Sequence, residues 1–69
     1  VKTTHELQQE IGRLRDLLPG LVREQPGEAE EIIKFHIANL AAAAAPSDLR
    51  IVQAARAELL SLAEKARAH

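Results

Sequence analysis

Few side chains in this sequence could do acid–base or nucleophilic chemistry: the histidines His5, His36 and His69, the serines Ser47 and Ser61, and a set of carboxylates. A nucleophile needs a base beside it and a third group to orient that base. Ser47 directly follows Pro46 and reads as a helix cap, while Ser61 falls on the back of a helix, away from its apolar seam. With no cysteine, no tyrosine and no glycine-rich phosphate loop, any such constellation would have to be assembled from three widely separated histidines. The composition therefore predicts a protein that is not an enzyme.

Metal ligation requires His or carboxylate ligands converging on one point, for example three or four residues apart on one helix face. Around His36 those positions hold Ile32, Ile33, Asn39 and Leu40, so the pattern fails. His5 lies beside Glu6 at the start of a helix and reads as a solvated polar residue. No metal, cofactor or small-molecule substrate is expected.

Lysine and arginine number 9 against 10 aspartate and glutamate, a net charge of −1 with the two signs interspersed. Nucleic-acid binding normally needs a concentrated basic field. None is visible, and Arg13, Arg15, Arg50, Arg56 and Arg67 read instead as long stems covering the edge of a core. A small transcriptional or plasmid-type DNA-binding regulator is the alternative function. Ala45-Pro46-Ser47 would then be the turn of a helix-turn-helix, and Asp48, Arg50, Ile51 and Gln53 a modest base-reading set.

The longest apolar run, Leu40 to Ala45, is far short of the ~18 residues that span a bilayer, and nothing resembles a signal peptide. The expected compartment is the cytoplasm. The 69 residues form one helical domain, and the absence of methionine leaves two origins open, removal of the initiator or excision from a longer protein. A domain of this size buries only about 60% of its unfolded surface. Without cysteines, well-formed helix packing and self-association are the remaining sources of stability.

Three segments could supply that packing. Thr3-Thr4-His5-Glu6 matches a capping box, and Leu7, Ile11, Leu14, Leu18 and Leu21 then trace one helical seam. Pro19-Gly20 interrupts it. The expectation is a helix over 3–18 with a short extra turn in 19–25; a kinked continuous helix is the alternative. Pro26-Gly27 opens a second helix over 27–45, with Glu28, Glu30 and Glu31 near the positive end of its dipole, Glu30 facing Lys34, and Pro46 as its stop. Ser47 caps a third helix over 48–67, whose seam is Val52, Ala55, Leu59, Leu62 and Ala66. No period-2 alternation occurs. The fold class is all-α, a three-helix bundle of successive antiparallel helices that completes its core by self-association.

The sole phenylalanine breaks this order. On a wheel of about 100° per residue, Ala29, Ile37, Leu40 and Ala44 lie within about 40° of Ile33, and His36 sits at the stripe's edge with its body packed. Phe35 falls about 160° away, on a track with Ala38, Ala42 and Ala45. It could pack inside the monomer if the second helix were central, contact another chain, or stay exposed. Burying a phenylalanine is worth about 1.5–3 kcal/mol, which favours contact with another chain. The expected function is thus a helical interaction module, docking a second copy or another helical protein through Phe35, Ala38, Ala42 and Ala45.

Overall fold

A computed structural model describes residues 1–68, so His69 lies outside the described residues. Three helices account for most of them: α1 (Thr4–Glu24), α2 (Ala29–Ala43) and α3 (Leu49–Arg67), with a 3-10 turn at Pro46–Asp48. Each pair of consecutive helices is antiparallel, so α1 and α3 run side by side in the same direction. Their starts are tied together, since the Thr4 hydroxyl donates to Asp48 Oδ2 at 2.8 Å. Among the described residues no helix is long and apolar enough to cross a membrane.

The capping box forms as its residue types dictate. The Glu6 N–H donates to Thr3 Oγ1 at 3.1 Å and the Thr3 N–H donates to Glu6 Oε1 at 3.2 Å. The Thr3 backbone N–H, followed by the Thr3 side chain, holds the Glu6 carboxyl below its usual value.

Past Leu18 the expected break is absent: α1 continues as α-helix through Pro19 to Glu24. Proline in a helix interior costs about 3 kcal/mol. Burying Leu18 and Val22 on either side returns about 1.5–3 kcal/mol each, and Pro19 itself points to solvent. Packing therefore outweighs the local break, and the kinked-continuous alternative is the correct one in its continuity.

Other boundaries move for equally local reasons. Residues 26–28 form a turn, with the Glu28 N–H donating to the Gln25 carbonyl at 3.0 Å, so α2 starts at Ala29 rather than at residue 27. It ends at Ala43, not at Ala45, because the residue before Pro46 is driven from the helical region. Ala44 and Ala45 are both extended. The Lys2 N–H uses the freed carbonyl of Ala43, at 2.8 Å. Ser47 falls inside the 3-10 turn and makes no side-chain cap, so its expected role is not realised.

The core lies along the axis between the three helices. Leu7, Ile11, Leu14, Leu18 and Val22 come from α1, Ala29, Ile33, Ile37 and Leu40 from α2, and Val52, Ala55, Leu59 and Ala63 from α3. Two expected seam positions shift by one residue. Val22 replaces Leu21, which is only partly buried, and Ala63 replaces Leu62. Ala66 is exposed. Spacings of four rather than three at these steps follow the 3.6-residue turn of straight helices, where a 3.5 repeat would need supercoiling.

Contact is unevenly shared. α3 packs extensively on both α1 and α2, whereas α1 and α2 touch each other far less. The central helix is the third, not the second.

Ion pairs stitch the periphery. Arg15 donates to Glu58 in fork geometry, Nε to Oε2 at 2.9 Å and Nη2 to Oε1 at 3.0 Å, across the α1–α3 boundary. That hydrogen bond lowers the Glu58 carboxyl and raises the Arg15 guanidinium from their ordinary values. Glu30 does not pair with Lys34 as expected. It meets Arg67 Nη2 at 3.1 Å, while Lys34 lies 3.7 Å from Glu31.

Candidate docking face

Because α1 and α2 are the least closely packed pair, a groove runs between them. Leu14 and Leu40, both core residues, form its apolar floor. Leu17 lines it from α1 and is 60% exposed. Glu10 and Arg13 of the same helix and Lys2, just before it, supply a polar rim, with Lys2 Nζ at 3.2 Å from Glu10 Oε1. His36 and Asn39 form the rim on α2.

Phe35 adjoins this groove through His36. Their ring centroids are 5.7 Å apart at 71°, an edge-to-face arrangement of the kind aromatic quadrupoles prefer. Phe35 is 64% exposed. It therefore does not pack inside the monomer, since the central helix that would have covered it is α3. His36 is exposed as well, rather than half-packed against the core as its wheel position suggests.

The alanine track is divided. Ala38 and Ala42 are exposed on α2, but Ala45 stands beyond the end of that helix in extended backbone, so it does not continue the Phe35 face. Ala45 is half-buried. Phe35 instead neighbours the groove through its ring contact with His36 of the rim, while Leu17 lines the groove from α1. Leu17 was not singled out by the seam spacing. Its wheel position, about 60° from Leu14 and on the side of Glu10 and Arg13, is the signal that identifies it once α2 is known to lie there.

At the head of α3, Asp48 is buried and taken up by Thr4, and Ile51 is half-buried against the core. Only Arg50 and Gln53 of the four base-reading candidates are exposed. Among the described residues no three His, Asp or Glu side chains converge as metal ligands. The groove can bury apolar surface and meet charge. Comparison of the chain with protein-family models, with curated proteins and with solved structures finds no match.

Proposed function

We propose that the protein is a non-catalytic helical docking module that associates through the α1/α2 face. One observation carries this: Leu17 stands 60% exposed in the wall of a groove floored by core leucines, and Phe35, 64% exposed, sits on α2 beside His36 of the groove rim. Covering what remains exposed of both side chains contributes on the order of 2–4 kcal/mol, short of the ~8 kcal/mol of a micromolar complex. A stable partner must therefore also cover the groove and not only the two anchors. Ala38 and Ala42, exposed on α2 beyond Phe35, leave room for a partner that extends past the groove rim. The cytoplasm, where a small cysteine-free domain needs no oxidising compartment, is the setting we assign.

The test is photo-crosslinking in cells from position 35, with position 57 as the control. Ala57 is exposed on the far side of α3. Protein crosslinks are expected from position 35 and lost when Leu17→Glu is added. Both Leu17→Glu and Phe35→Glu should keep thermal stability within about 0.5 kcal/mol, as exposed sites do. Equal crosslinking from both positions, or from neither, sinks the proposal.

A further inference from the structure

We infer that the groove between α1 and α2 receives an acidic amphipathic helix from another protein, which completes a four-helix arrangement; this rests on the docking role proposed above. The shape comes first. A groove of about 290 Å3 falls just short of the ~300–1,000 Å3 typical of small-molecule sites and is open to solvent rather than enclosed. It lies between two helices that α3 holds from behind. A helix laid into such a groove presents apolar side chains three and four residues apart, which suits the floor of Leu14 and Leu40 and the wall of Leu17.

Charge then selects among helices. The rim carries two cations, Lys2 and Arg13, and one anion, Glu10. Glu10 is already engaged by Lys2. Arg13 enters none of the ion pairs among the described residues. The groove thus keeps a positive charge on a chain whose net charge is −1. A carboxylate opposite Arg13 is attracted to the groove and a lysine there is repelled.

The same arithmetic disfavours a second copy. Symmetric pairing of this face would bring two Arg13 guanidiniums into one interface, with no free carboxylate among the residues lining the groove to meet them. Unpaired charge in an interface is costly.

The experiment is an NMR titration of the isotope-labelled full chain with two blocked synthetic peptides of about 18 residues, long enough to populate helix. Both carry leucines three and four residues apart along one face; the other face is alanine with glutamate in one peptide and alanine with lysine in the other. The glutamate peptide is expected to shift the amides of Arg13, Leu17, His36 and Asn39, and to bind more tightly as salt is lowered. Arg13→Gln should weaken it about two- to fivefold, the range of one exposed ion pair, without weakening the lysine peptide.

Equal occupancy of the groove by both peptides, or no shift of groove amides at millimolar glutamate peptide, overturns the inference. So does a concentration-dependent dimer whose contact shifts map to the groove, in which case the docking role stands and only the partner assignment falls. Silence from both peptides together with silent crosslinking from position 35 removes the docking role itself.

Discussion

Replacing Pro19 by alanine should stabilise the protein. Pro19 sits inside α1 (Thr4–Glu24), where it has no N–H to offer the Arg15 carbonyl and its ring crowds that carbonyl. The missing hydrogen bond is worth a net ~0.5–1.5 kcal/mol. With the ring clash, the full difference between proline and alanine in a helix interior reaches about 3 kcal/mol. Pro19 is exposed, so no tertiary packing is lost with the ring. We expect Pro19→Ala to gain about 2–3 kcal/mol. For a domain of this size each kcal/mol moves Tm by about 4–8 °C, so the melt should rise by roughly 8–24 °C. Urea unfolding followed by far-ultraviolet circular dichroism gives the free energy, and a thermal melt gives the shift. Gly20→Ala makes a useful companion, because an added Cβ meets nothing within 4 Å there and should contribute about 0.5–1 kcal/mol. An unchanged or lowered midpoint for Pro19→Ala would refute the reasoning and mean that the second half of α1 is not continuous helix in solution.

Two further outcomes follow from the core and from the capped carboxylates. Ala63→Asp should cost about 3 kcal/mol or more, because Ala63 is fully buried and the new charge has no partner, while Leu62→Asp one residue earlier should cost less, about 1–2 kcal/mol for the part of the leucine that is covered; an equal or larger loss at position 62 in urea melts would show the α3 register to be wrong. Glu58 and Glu6 both have carboxyl pKa values below the usual 4.5 in the folded protein, through Arg15 and Thr3 respectively. Their contribution is complete above the unfolded value and is lost as pH falls through the lower folded values. Stability measured against pH should hold level from 7 to about 5 and decline below about 4.5, with Glu58→Gln and Glu6→Gln each flattening the acid limb. High salt should shrink the Glu58 share, since that pair is exposed.

Much of the architecture is legible residue by residue. Leu7, Ile11, Leu14 and Leu18 define the α1 seam from spacing alone, and Thr3 with Glu6 fixes its start. Two of the departures, at Leu62 and Pro19, share a cause, a local preference outweighed by the path of the whole helix, whereas the lost Ser47 cap is itself a local effect. Leu62 is larger and more apolar than Ala63, yet phase along a straight helix places the alanine inside and leaves the leucine 36% exposed. Pro19 is a strong local breaker, but Leu18 and Val22 bury on both sides of it. Ser47 is a favoured capping residue displaced because Pro46 starts a 3-10 turn. At the docking face, Phe35 is visible on a helical wheel as the residue facing away from its seam. Leu17 is not, because its exposure depends on how far α1 and α2 stand apart, which no periodicity within either helix records.

The central place of α3 has a consequence for biosynthesis. The chain leaves the ribosome in the order α1, α2, α3, and domains generally fold as units during or after synthesis. When α1 and α2 have emerged, they can make only the sparse contacts they share with each other. The surfaces that bury Leu7, Ile33 and their neighbours arrive with Val52, Ala55, Leu59 and Ala63. The first two helices therefore wait, apolar faces uncovered, for α3, and until Leu59 and Ala63 have emerged the core that all three share stays incomplete.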